Sequence, residues 1–161
     1  LGDGLVPDYF TQVELGGFYG WPYAYSGQYP QPDYVDRRPD LVAQSKLPDV
    51  LFQSHSAPIG LTFLADADVP TDWQDDALVA LRGSWNAAVP TGYKVVRVEL
   101  QDGVPTGRYI NFLTGFRVDV PNPDVPSSAK VWGRPVGVAV GPDGAIYVSD
   151  DTGGTIWRIS K

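Results

Sequence analysis

The sequence has no cysteine, no methionine and a single histidine, His55. Without thiols there is neither a disulfide framework nor a thiolate metal site. A translated chain starts with methionine, whereas this one opens on Leu1, so it reads as a chain that has lost its start. Positive charge is scarce: 12 Lys and Arg stand against 19 Asp and Glu, a net −7. Such a surface repels a phosphate backbone, which argues against a nucleic-acid partner. No apolar run approaches the roughly 18 residues a membrane helix needs. The opening LGDGLVPDYF also lacks the basic and apolar stretch of a signal peptide.

Hydrophobic residues make up 43% of the chain and charged residues 19%, a globular composition. Gly (18) and Pro (15) are spread throughout and interrupt every potential helix. Between them lie short segments alternating with period two. In Tyr93 to Leu100, Val96, Val98 and Leu100 share one face while Arg97 and Glu99 share the other, and Asp102-Gly103 makes a turn. Val136 to Val140 and Ala145 to Val148 flank the tetrad Gly141-Pro142-Asp143-Gly144, in which Pro sets φ and Gly accepts φ > 0. Thr155 to Ile159 follows the turn Thr152-Gly153-Gly154.

The segments repeat. Ile59 to Leu64, Ala77 to Leu81 and Tyr93 to Leu100 form one series of three strands, and Val136 to Val140, Ala145 to Val148 and Thr155 to Ile159 form another. Repeated antiparallel meanders of about 40–50 residues are the sequence form of propeller blades. The expectation is all-β: a single partial β-propeller over residues 1–161, with about three blades of four-stranded meanders and no helix beyond short turns. The Pro-rich stretches Gln28 to Pro48 and Leu64 to Asp76 read as loops on a propeller face.

Four strings carry candidate chemistry. Gly16 to Tyr23 reads GGFYGWPY, glycines that allow close strand approach beside aromatics that fill inter-blade space. Ser54 to Leu61 holds the lone His55, of a residue type more often structural than catalytic. Leu81 to Asn86 reads LRGSWN, and Trp132 to Val138 reads WGRPVGV. In this order they resemble the pyrroloquinoline quinone (PQQ) dependent sugar dehydrogenases, the quinoproteins of the L-sorbosone and soluble aldose (glucose) type. The likeness runs from Gly2 to Ser160.

That resemblance implies the C-terminal part of a six-bladed propeller enzyme, periplasmic or secreted, with PQQ and Ca²⁺ as cofactors and a sugar or sugar-derived aldehyde as substrate. It places His55 beside the quinone as a contact and the catalytic base, another histidine, upstream of Leu1. Of two arginines spaced two apart in the glucose-oxidising branch, only Arg134 is matched, with Trp132 at the first position. A cation of that branch falls on Gly83, one residue from Arg82. The Trp132 departure favours the sorbosone-like branch, which carries the same WGRPVGVAV string, while the Gly83 departure leaves the contact open between Gly83 and Arg82. Gly2-Asp3 resembles the tail of an acidic loop near Ca²⁺, which makes Asp3 the metal candidate.

Chemistry supports these residue types. PQQ is a flat tricarboxylate, which calls for guanidinium donors and an apolar or aromatic shelf. Arg82, Arg134, Trp85 and Asn86 are the candidates. Asp66, Asp68 and Asp72 mimic part of an EF-hand loop, but Thr71 replaces its Gly and Ala77 its Glu, so this reads as a solvated loop. Asp150-Asp151 reads as an Asx turn. Two other functions compete: a non-catalytic propeller used as a binding module, and a Ca²⁺-dependent propeller hydrolase. About three blades leave open edges, so a partner is expected: the missing N-terminal part or a second copy. The chain alone is expected to be inactive.

Overall fold

A computed structural model of the chain describes residues 2–119 and 129–161. Within them nearly all regular structure is antiparallel β. The first unit pairs β1 (Pro7–Phe10) with a strand reached only after a long excursion. That excursion holds the two-residue strands β2 (Ala24–Tyr25) and β3 (Tyr29–Pro30), a 3₁₀ turn and α1 (Pro39–Gln44). The chain then re-enters as β4 (Val50–Ser54), antiparallel to β1. At six residues, α1 is no more than a short turn of helix within a stretch that reads as a loop.

The second unit is a complete four-stranded meander. It runs β5 (Pro58–Phe63), β6 (Ala77–Leu81), β7 (Lys94–Gln101) and β8 (Val104–Leu113), each paired with the next. The β7–β8 hairpin turns on Asp102-Gly103, both at positive φ (52° and 77°). That is the backbone a two-residue turn needs to match strand twist. A small hairpin, β9 (Arg117–Asp119) with β10 (Ala129–Val131), precedes the third unit. That unit is the sheet β11 (Pro135–Val140), β12 (Ile146–Asp150) and β13 (Thr155–Ile159). Among the described residues, four strands per blade are thus reached only in the middle unit.

Blade order follows from which side chains each face buries. The run Ala77 to Leu81 is buried on both faces. Leu78 and Ala80 pack with Val95, Val138, Ile146 and Val148, joining the second unit to the third. Val79 and Leu81 pack with Val50, Phe52, Val96 and Val98, joining it to the first. The inner strands β5 and β11 approach so closely that a Cβ on Gly60 would fall on the Val136 carbonyl. This radial stacking is a partial β-propeller. On the side of the first unit, Ile59, Leu61 and Phe63 are each more than half exposed. Ile59 and Leu61 line an open groove of about 280 Å³ with Tyr9, Phe10 and Phe52.

The string GGFYGWPY departs from expectation. Residues 15–23 form turns and irregular chain rather than a strand, and Trp21 is 78% exposed instead of filling inter-blade space. The cause is local: Gly16 and Gly20 sit at φ 74° and 107°, conformations that break a ladder. Tyr19 is tied back by accepting from the Glu14 N–H and donating to the Gln12 carbonyl.

Candidate functional site

Antiparallel pairing sets which strand ends coincide. Pro58 opposes Leu81, and Pro135 opposes Asp150. The starts of β5 and β11 and the ends of β6 and β12 therefore share one end of the sheets, which brings the segments bearing His55, Arg82 and Arg134 together. Backbone bonds tie them: Arg82 N–H donates to the Ala57 carbonyl at 3.0 Å and Gly83 N–H to the Ser56 carbonyl at 2.9 Å. Arg134 reaches across from the third unit, donating to the Gly83 and Ser84 carbonyls at 3.3 Å each. Its guanidinium lies 5.1 Å from the centre of the Tyr93 ring, a cation–π contact.

Backbone strain collects here. Six non-glycine residues have positive φ among the described ones, and three of them, His55 (64°), Ala57 (52°) and Tyr93 (56°), lie in this cluster. Such conformations cost of order 1–3 kcal/mol each and persist only where the surroundings enforce them. The enforcing contacts are visible. Asp8 accepts the Ala57 N–H at 3.0 Å. Tyr93 donates its hydroxyl to the Ser84 carbonyl, and Ser84 accepts the Thr91 N–H at 3.1 Å. Gly83, at φ 100°, lets the Tyr93 ring approach, because a Cβ there would stand 2.6 Å from it.

The two arginines are held differently. Arg82 donates Nε–H to Asp151 Oδ2 at 2.8 Å, and its Nη2 lies 2.7 Å from the same oxygen. Its outer N–H groups make no other bond among the described residues. His55 Nε2 lies 3.1 Å from the Gly2 carbonyl; a carbonyl only accepts, so this nitrogen carries the proton. Trp85 and Asn86 follow in the same loop and are exposed, the indole at 85%. Asp3 accepts the Ala88 N–H at 2.9 Å, which places the N-terminal residues beside this loop.

Asp150 and Asp151 form the turn expected of them, and more. The buried Asp150 Oδ1 accepts N–H groups from Arg134 (2.8 Å), Gly153 (3.0 Å) and Thr152 (3.1 Å). Burial pushes this carboxyl up, but these backbone donors prevail and hold it below the ordinary aspartate value. Asp151 N–H donates to the Arg134 carbonyl at 3.1 Å. Thus Asp151, Tyr93 and Asp8 belong to the cluster although their segments read only as turn, strand and tail. The one signal available was that Asp151 ends an inner-blade hairpin on the same side as Arg134.

The cluster gathers two guanidinium groups and an amide as donors, beside an exposed indole and an imidazole. Such a set suits a flat polyanion. Among the described residues no three His, Asp or Glu side chains assemble as a metal site. In the loop that resembled an EF-hand, Asp68 pairs with Lys161 at 2.9 Å.

The TrAA12-like family matches residues 29–161. A pyrroloquinoline quinone-dependent pyranose dehydrogenase of Coprinopsis cinerea is 31% identical over 129 residues, 74% of this chain and 17% of that protein. The holo PQQ domain of the Coprinopsis cinerea pyranose dehydrogenase superposes with a TM-score of 0.59 at 25% identity, over 90% of this chain and 40% of that one. A glucose dehydrogenase structure gives a TM-score of 0.64 at 18% identity, over 99% of this chain and 39% of that one. The chain spans 40% or less of the length of the curated relatives it matches. With the family matched over most of its length, the chain belongs to the TrAA12-like family.

Proposed function

We propose that this chain is the C-terminal part of a PQQ-dependent oxidoreductase acting on sugars or sugar-derived aldehydes, of the L-sorbosone or aldose type. The observation that carries the reading is the meeting of Arg82 and Arg134 across the Gly83-Ser84 backbone, in a chain of this family. A cofactor with three carboxylates requires cations held in place, and both guanidinium groups are held while, among the described residues, the outer edge of Arg82 stays unpaired. Bound there, PQQ supplies a two-electron acceptor for the oxidation. Arg82 and Arg134 would neutralise and orient its carboxylates. His55 would lie against the cofactor as a contact, Asn86 would add a polar contact, and the exposed Trp85 would supply an apolar shelf.

His55 is the sole imidazole of the chain, and its Nε2 faces the Gly2 carbonyl. The family resemblance assigns the base that takes the substrate hydroxyl proton to a histidine in a preceding blade of the full-length protein, with His55 as a cofactor contact. The described side chains do not assemble a Ca²⁺ site, so no step is assigned to that ion. Asp3 remains the candidate ligand, supported by its place beside the Trp85 to Ala88 loop.

The test is titration of the full-length apoprotein with PQQ, followed by absorbance, and then dye-coupled oxidation of pyranoses and of L-sorbosone. Saturable binding with sugar-dependent dye reduction is expected. Absence of binding, or hydrolysis of lactones or phosphate esters with Ca²⁺ alone, would overturn the proposal.

A further inference from the structure

We infer that Asp151 is a positioning residue for the cofactor arginines, acting on Arg82 through its side chain and on Arg134 through its backbone; the inference rests on the function proposed above. The geometry separates the two edges of the Arg82 guanidinium. The Nε–Nη2 edge is taken by one oxygen, Asp151 Oδ2, at 2.8 and 2.7 Å. Among the described residues the Nη1 edge makes no bond and is left for a ligand, so the pairing directs the arginine without consuming it. The carboxylate is itself steadied: Oδ1 accepts the Thr152 hydroxyl at 3.2 Å. Asp151 N–H holds the Arg134 carbonyl at 3.1 Å. One residue later than the buried Asp150, the turn thus grips both arginines, which lie 52 positions apart (134 − 82) in the chain.

Two effects oppose each other when the Asp151 carboxylate is removed. A negative charge leaves the neighbourhood of an anion site, which favours binding. Arg82 also regains its rotamer freedom, which disfavours it. The pair is about one-third exposed at each partner (35% and 38%), so solvent screens the charge effect. An unrestrained arginine must instead be ordered anew by each ligand, and it is among the side chains with most rotamer entropy to lose. Loss of orientation therefore outweighs loss of repulsion. PQQ should bind about tenfold more weakly to Asp151→Ala.

The experiment is a double-mutant cycle on PQQ affinity, read by absorbance titration of the full-length apoprotein, with circular dichroism to verify folding. The variants are Arg82→Ala, Asp151→Ala and the double. If Asp151 acts through Arg82, Asp151→Ala weakens binding in the native background and adds nothing once Arg82 is gone. Asp151→Asn, which keeps an acceptor for Nε–H, should recover part of the loss. Equal weakening in both backgrounds, no weakening, or tighter binding to Asp151→Ala would overturn the positioning role while leaving Arg82 as a cofactor contact. Unchanged affinity in Arg82→Ala would instead remove Arg82 from the site, and this inference with it.

Discussion

Asp76 offers the sharpest test of how the middle blade is held together. It closes the loop before β6 and is almost fully buried, with Arg97 beside it (side-chain exposures 4% and 12%). Arg97 donates to Oδ2 at 2.6 Å, and the Leu100 N–H donates to Oδ1 at 2.8 Å. The guanidinium lies 4.1 Å over the Trp73 ring. Removing one partner of a buried pair costs about 3–5 kcal/mol, because the other charge stays buried and unpaired. Here Arg97 would keep Glu99 at 3.8 Å and the Trp73 face, which places the cost at the low end. The orphaned Leu100 N–H adds about 1 kcal/mol. Asp76→Ala in the full-length protein should thus lose about 3 to 4 kcal/mol in urea unfolding followed by circular dichroism, with an unchanged denaturant slope. Asp76→Asn should lose nearly as much, since its single carbonyl oxygen cannot serve both donors. Adding Arg97→Met to Asp76→Ala should cost much less than the sum of the two single changes. A loss below about 1 kcal/mol for Asp76→Ala, or strict additivity, would refute the reasoning.

Three further outcomes follow from the same geometry. Gly60→Val would drive a side chain into the Val136 carbonyl between two inner strands, so the full-length protein should unfold earlier by at least about 2 kcal/mol of stability; a neutral change in midpoint would contradict the packing described. Asp150 has a depressed folded pKa, so its contribution is complete above the unfolded value of about 3.9 and is lost as pH falls through the folded one. Asp150→Asn should therefore be destabilised at neutral pH, and its unfolding midpoint should fall less than that of the native protein between neutral pH and about pH 3; parallel losses would contradict this. The 161-residue chain alone, free of other polypeptide by mass spectrometry, should reduce no dye with PQQ, Ca²⁺ and a panel of aldoses; turnover would show that the base had been misassigned.

How much the sequence discloses depends on how clearly a strand's local pattern is bounded by turns. The β6 run Ala77 to Leu81 and the β13 run Thr155 to Ile159 were placed to the residue. Their apolar or alternating patterns are short and bounded by turn residues. β8 was missed, because VPTGRYINFL carries Pro and Gly and alternates poorly. Its register with β7 is irregular at two points, as expected of an outer strand that packing constrains weakly. β1 and β4 were missed for another reason: they pair across a separation of about 40 residues, as in Phe10 with Val50, which no local pattern reveals.

The site divides along the same line. Arg82, Arg134 and His55 could be found because each flanks an inner strand, and strand ends in a meander alternate between two ends of the sheet. Two starts and two finishes separated by an even number of strands must fall on the same side, whatever the loops do. Asp151 obeys this rule as well, since it follows β12 as Arg82 follows β6. Its pairing with Arg82 spans 69 residues, and its own neighbourhood already had a sufficient local explanation as a turn. A residue that satisfies local chemistry conceals a distant role. In a propeller, the acidic residues that end each second strand are therefore the positions to examine as partners for cations at the ends of neighbouring blades. The double-mutant cycle on Arg82 and Asp151 tests whether that topological rule carries functional weight in this chain.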